Sequence, residues 1–180
     1  FRGSLNNVAL RFSQVLKKNP SNDFIRITGD CPLIDPTLTD EIIREFKSQK
    51  LDYLSNTIFP TYPDGLDTEV FTLASLKKAN DKCNLPFDRE HVTPFIKQSK
   101  LFQSKNFKNK EDFSGFRWTV DDIEDLQNIK QVFKHFSPNI HFTWREVLHL
   151  FKSNPKIFTN SKAKRNEGSY LGKGQKLWLR

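Results

Sequence analysis

Two aspartates stand where open α/β sheets place reactive acids. In Arg26-Ile27-Thr28-Gly29-Asp30-Cys31-Pro32-Leu33-Ile34-Asp35-Pro36 an apolar run enters a glycine turn that presents Asp30, and a helix start follows at once. Trp118-Thr119-Val120-Asp121-Asp122 repeats the pattern ahead of a strongly periodic segment. Ligands bind outside the strand ends of such sheets. Magnesium needs few protein carboxylates when phosphate oxygens complete its shell. Asp30 and Asp121 therefore read as a pair that would hold Mg2+ against an anionic ligand, close to helix amino termini that favour phosphate. The plainer assignment has Asp30 closing a turn and Asp121 capping a helix, and pattern alone does not separate the two.

Other polar groups fall into smaller sets. Tyr62-Pro63-Asp64-Gly65-Leu66-Asp67-Thr68-Glu69 puts Asp64, Asp67 and Glu69 beside a strand, as a site for sugar hydroxyls would. An ordinary solvated turn would look the same. Arg89 could hold a substrate carboxylate or phosphate through its fork of donors, and His91 could bond the substrate or serve the fold. Arg26 and Arg117 point from strands, where they can neutralise nearby acids or, for Arg117, meet substrate. Asp122, Glu124 and Asp125 favour the dipole of a following helix, with Asp122 also available behind a metal ligand. No nucleophile triad, redox cysteine pair, zinc spacing or lysine-bearing phosphate loop is present. Chemistry by positioning and electrostatics fits best.

The elements that must position these groups can be read along the chain. Residues 6–18 predict a helix capped by Asn6 or Asn7, with Val8, Phe12, Val15 and Leu16 inward. Strands are predicted at 23–28, 51–54, 68–73, 101–107 and 116–120, separated by a loop over 56–67. Asp35-Pro36 opens a helix packed through Leu38, Ile42 and Phe46, and 74–82 another anchored by Leu76 and Ala79. A helix starting near Asp88 is ended or bent at Pro94. Ile123, Leu126, Ile129, Val132, Phe133 and Phe136 mark a helix over 122–136, and Thr143-Trp144-Arg145-Glu146 is a capping box for the last. This alternation predicts an α/β fold, a mostly parallel sheet with helices on both faces.

Charge and composition narrow the class. The net charge of +8 suggests nucleic acid, but residues 159–180 alone contribute six basic side chains against Glu167. The other 158 residues are nearly balanced, and no common nucleic-acid module is evident. We expect neither nucleic acid nor a membrane as partner, since no apolar run has spanning length. Cys31 and Cys83 lie outside any ligand spacing, which points to a reducing, cytoplasmic setting. The chain starts at Phe1 and has no methionine, so we expect a piece of a longer protein.

The runs Phe1-Arg2-Gly3-Ser4, Arg26 to Asp35, Tyr62 to Asp67, Arg89-Glu90-His91-Val92-Thr93-Pro94 and Arg117 to Asp121 together resemble the spore-coat polysaccharide cytidylyltransferases, relatives of the enzymes that make CMP-activated acidic sugars. The resemblance covers residues 1–158 and follows the family's motif order. It implies a Rossmann-like nucleotide-diphospho-sugar transferase fold with its amino-terminal part missing, because the family's opening strand and its glycine- and arginine-rich nucleotide loop would precede Phe1. Leu5-Asn6-Asn7-Val8-Ala9-Leu10 replaces an acidic stretch of the family. The implied activity is Mg2+-dependent transfer of CMP from CTP to a sugar, with pyrophosphate released, in polysaccharide biosynthesis. Asp30 and Asp121 match the metal-binding aspartates. Asp64, Asp67, Glu69, Arg89 and His91 fall on the sugar side, with Arg117 beside them. A piece without the nucleotide loop is expected to be inactive alone, and a homodimer stays open.

Residues 159–180 read as a basic linker. Arg165-Asn166-Glu167-Gly168 and Gly172-Lys173-Gly174-Gln175-Lys176-Leu177-Trp178 resemble the junction to a glutamate-1-semialdehyde aminotransferase-like domain, which would carry pyridoxal phosphate. Three other classes remain: a nucleotidyltransferase for another nucleotide, a glycosyltransferase using a nucleotide sugar, and a non-catalytic module.

Overall fold

In a computed structural model, residues 1–82 and 85–158 are described. Cys83 and the linker with its aminotransferase-like junction, 159–180, lie outside them. The chain gathers into two compact units, one of Phe1–Thr28, Pro36–Tyr62 and Asp67–Asp112, the other of Gly29–Asp35, Pro63–Leu66 and the chain from Phe113. Among the described residues no helix is long and apolar enough to cross a membrane.

The first unit holds α1 (Val8–Lys18), β1 (Asp23–Arg26), α2 (Pro36–Ser48), β2 (Tyr53–Ser55), β3 (Glu69–Thr72), α3 (Leu73–Lys82), α4 (Pro86–His91), α5 (Pro94–Gln98) and β4 (Ser104–Asn106). Asn7 caps α1, its side chain accepting from the Leu10 amide at 2.9 Å. Leu38, Ile42 and Phe46 bury one stripe of α2, as their spacing requires. Proline 94 divides what the sequence offers as one helix, and Val92 at the break takes a φ of 69°.

The sheet departs from the expected mostly parallel form. Its order is β1-β3-β2-β4, with β3 antiparallel to both neighbours and only β2 and β4 parallel. Alternation along the chain suggested crossovers, which build parallel pairs. Between β2 and β3 there is no helix, only the irregular stretch from Asn56 to Thr68, so β3 returns beside β2 in the opposite sense. Tyr53, Phe71, Leu76, Ala79, Val92, Ile96 and Phe102 form the core of this unit.

Glu69 lies at the centre of that sheet. The register sets Arg26 of β1 opposite it on one side and Ser55 of β2 on the other. Its buried carboxylate pairs with Arg26 at 2.5 Å and Lys97 at 2.8 Å, and accepts from Tyr53 Oη at 2.6 Å and Thr93 Oγ1 at 2.7 Å. Burial pushes the Glu69 pKa up, but the charges of Lys97 and Arg26 outweigh it, and the net shift is downward. Burial and the same carboxylate raise the Tyr53 pKa, so its hydroxyl stays a donor.

The second unit is packed by aromatic rings around α6 (Ile123–Phe136) and α7 (Trp144–Ser153), with a 3-10 turn at Pro155–Ile157. Phe151 stacks on Phe158 at 3.6 Å and lies 5.6 Å from fully buried Trp118. The capping box at Thr143 and Glu146 forms as the sequence predicts. The α7 amino terminus is held a second time, since Asp35 Oδ2 accepts the Trp144 amide at 2.8 Å. Asp35 therefore serves α7 within this unit, a contact its proline neighbour gave no sign of.

Phe116–Val120 is not a strand of the sheet. It makes an isolated parallel bridge between Arg117 and Asp64, through Asp64 N to Phe116 O at 2.8 Å and Trp118 N to Asp64 O at 2.6 Å. The approach is possible because the next residue is Gly65, with φ of +105°, where a Cβ would fall 2.6 Å from the Trp118 carbonyl carbon. A Cβ at Gly29 meets nothing within 4 Å, so the glycine this region requires is Gly65.

Two stability outcomes follow from these contacts. Gly65→Ala should lower unfolding stability by at least about 2 kcal/mol, from backbone strain and the clash together. Urea melts would show it, and an unchanged midpoint would contradict it. For Glu69, whose folded pKa lies below its unfolded value, the contribution is fully present above the ordinary carboxylate pKa of about 4.3 and fades as pH falls below it. Glu69→Gln should thus be less stable at neutral pH by roughly 2–3 kcal/mol, Arg26 and Lys97 being partly exposed. It should also lose less stability than wild type between about pH 5 and pH 3. Parallel melts across that window would measure this, and equal slopes would contradict it.

Candidate functional site

Within the second unit, one guanidinium gathers the acids. Arg117 Nε donates to Asp125 Oδ1 at 3.0 Å and Oδ2 at 3.1 Å. Its two terminal nitrogens divide the rest: one bonds Asp64 Oδ2 at 3.2 Å, the other bonds Asp121 Oδ2 at 2.5 Å and Asp125 Oδ2 at 2.8 Å. Burial lowers the Arg117 pKa, but its hydrogen bonds to Asp125 and Asp121 and the charges of Asp125 and Asp64 more than offset this, raising it overall. The guanidinium stays charged at any pH the protein meets.

The helix start explains where Asp121 points. Asp122, in extended conformation, caps α6 and accepts the Asp125 amide on Oδ1 at 2.8 Å. Asp122, not Asp121, is therefore the cap of α6. The Asp121 carboxylate stands outside the helix, 56% exposed, while that of Asp125 is completely buried. Asp125 also accepts the Asp121 amide at 3.1 Å.

Asp30 sits in a turn, as its plainer reading had it. Its main-chain oxygen accepts from Val120 N at 2.9 Å and Thr119 Oγ1 at 3.1 Å. Those bonds tie Asp30 to the residues immediately before Asp121. The buried Cys31 thiol donates weakly to Asp30 Oδ1 at 3.6 Å.

The remaining sequence-predicted residues lie in the first unit. Glu69 is committed to Arg26, Lys97, Tyr53 and Thr93 as described. Asp67 is half-buried ahead of β3, Arg89 is exposed on α4, and the His91 ring packs on Phe87 at 4.4 Å. Of the eight candidates, Asp64, Arg117 and Asp121 are in direct contact, and Asp30 is joined to their segment through the backbone.

Sequence reasoning missed Asp125, which it assigned only to the helix dipole. The α6 face is turned accordingly: Asp125, Asn128, Ile129 and Val132 are buried, while Ile123 is 59% exposed. The available signal was that Asp125 shares a helical face with Ile129 and Val132, positions chosen for burial.

The donor chemistry suits a hard divalent cation. One arginine touches three carboxylates, and the most exposed of them is that of Asp121. Among the described residues no set of three or more His, Cys, Asp or Glu side chains is arranged to hold an ion unaided.

Residues 1–161 match the family model described as cytidylyltransferase. An uncharacterized protein of Methanocaldococcus jannaschii is 34% identical over 162 residues, covering 87% of this chain and 64% of its own. The spore coat polysaccharide biosynthesis protein SpsF of Bacillus subtilis is 28% identical over 172 residues, 91% of this chain and 68% of its own. The solved structure of a cytidylyltransferase from Leptospira borgpetersenii superposes with a TM-score of 0.86 at 32% identity, covering 91% of this chain and 70% of that one. The chain thus spans about two thirds of the length of these relatives, with a cytidylyltransferase-like fold whose described part is mostly helical around a small mixed sheet. It belongs to the cytidylyltransferase family.

Proposed function

We propose that the whole protein transfers CMP from CTP to a sugar and releases pyrophosphate, in the making of a surface polysaccharide. The observation that carries this reading is the Arg117 cluster, which holds Asp121 outside α6 with its carboxylate exposed, in a chain of cytidylyltransferase sequence and fold. Similarity to a spore coat polysaccharide biosynthesis protein supports the polysaccharide setting.

On this reading Asp30 and Asp121 hold Mg2+. Bound there, the ion would neutralise triphosphate charge and make the α-phosphorus more electrophilic. The protein's own contribution is placement. Val120 N and Thr119 Oγ1 fix the backbone of Asp30, and Arg117 fixes the side chain of Asp121. Fixed acids need no reorganisation when the ligand arrives, which favours in-line attack by a sugar hydroxyl.

For the sugar we assign the exposed Arg89, whose donor fork suits the carboxylate of an acidic sugar, with His91 and Asp67 toward its hydroxyls. Glu69 acts through Arg26 and Lys97, which it holds in place. Arg117 belongs to the aspartates rather than to the sugar. A cytoplasmic enzyme, a homodimer and a continuation into an aminotransferase-like domain complete the proposal, and the last rests on residues 165–178 alone.

The test is pyrophosphate release by the full-length protein given Mg2+, each nucleoside triphosphate and a panel of acidic and neutral sugars. Release should require CTP and a sugar. Asp30→Asn and Asp121→Asn should each cut turnover by more than about a hundredfold, the loss of several kcal/mol of charge stabilisation. Activity with another nucleotide would reassign the donor. Absence of pyrophosphate with every pair would count against the reading.

A further inference from the structure

The geometry points to Asp125 as a positioning residue that sets Asp121 for a divalent ion, with Arg117 as the arm through which it acts. This rests on the reading that Asp121 holds the ion, and adds what holds Asp121.

The contacts close a small ring. Asp125 Oδ2 accepts the Asp121 amide at 3.1 Å and a terminal nitrogen of Arg117 at 2.8 Å, and that same nitrogen bonds Asp121 Oδ2 at 2.5 Å. A single buried carboxylate thereby governs Asp121 twice, at its backbone directly and at its side chain through one guanidinium. Arg117 is oriented mainly by Asp125, which takes its Nε on both oxygens, and further by Asp64. Asp125 is itself placed by the Asp122 cap at the start of α6. Burial decreases outward along the chain of contacts: Asp125 completely buried, Arg117 14% exposed, Asp121 56% exposed. The helix end, the buried acid and the arginine form a rigid base, and Asp121 is its exposed tip. Partners behind a ligand of this kind hold it in the orientation that binding needs.

A purely electrostatic role makes the opposite forecast, so the two can be told apart. If Arg117 merely competed with the cation for Asp121, removing its charge would tighten ion binding. If it positions Asp121, the same change weakens binding.

Mn2+ serves as the probe, titrated calorimetrically into the full chain in the presence of CTP. Arg117→Gln and Asp125→Asn should each raise the Mn2+ dissociation constant at least about tenfold. Thr143→Ala, which removes the α7 cap, should reduce stability while leaving that constant within about twofold. Tighter or unchanged binding in Arg117→Gln overturns the assignment and leaves the ion site of Asp30 and Asp121 standing. Absence of Mn2+ binding to wild type overturns both. If the first two variants do not fold, Arg117→Lys retains the charge but not the fork: tenfold weaker binding supports positioning, and unchanged binding refutes it.

Discussion

The ion cluster around Arg117 is the interaction that holds the second unit's clustered acids together. A guanidinium can satisfy several carboxylates at once only because its donors lie in a rigid plane. Here that plane is used by Asp125, Asp64 and Asp121 together. Each acid comes from a different local device: Asp125 from the inner face of α6, Asp64 from the bridge beside Gly65, and Asp121 from the position just ahead of the extended Asp122 cap. Remove the arginine and three acids, two of them buried, lose the cation they share. Desolvated like charges of that kind are strongly unfavourable.

The first unit solves a similar problem with the signs exchanged. Glu69 is a single buried acid between two partly exposed cations, Arg26 and Lys97, with Tyr53 and Thr93 completing its hydrogen bonds. Its placement follows from strand register, which sets Arg26 directly across from it. In both units a buried charge is kept by full pairing, and in both the pairing fixes side chains that reach solvent.

Much of this could be read from the residues, where a local rule decides the outcome. The Asn7 cap, the capping box at Thr143, the apolar stripe of α2 and the break at Pro94 are short-range effects, and each formed as its spacing requires. What failed was non-local. A mostly parallel sheet was expected because strands and helices alternate, but the link from β2 to β3 has no helix, and β3 inserted antiparallel. Phe116–Val120 has strand composition, yet it finds one bridge partner at Asp64 rather than a place in the sheet. Asp125 looked like any acid near a helix start, because its partner is eight residues back in a segment that is not helical. The need for glycine at position 65 comes from the approach of Trp118, a contact distant in sequence.

The most direct measurement is paramagnetic broadening of backbone amide signals as Mn2+ is added to the 15N-labelled chain with CTP. If Asp30 and Asp121 hold the ion together, the amides of residues 30 and 119–122 fade first and at substoichiometric Mn2+. Broadening that begins at other acids, or reaches only one of the two aspartates, would contradict it.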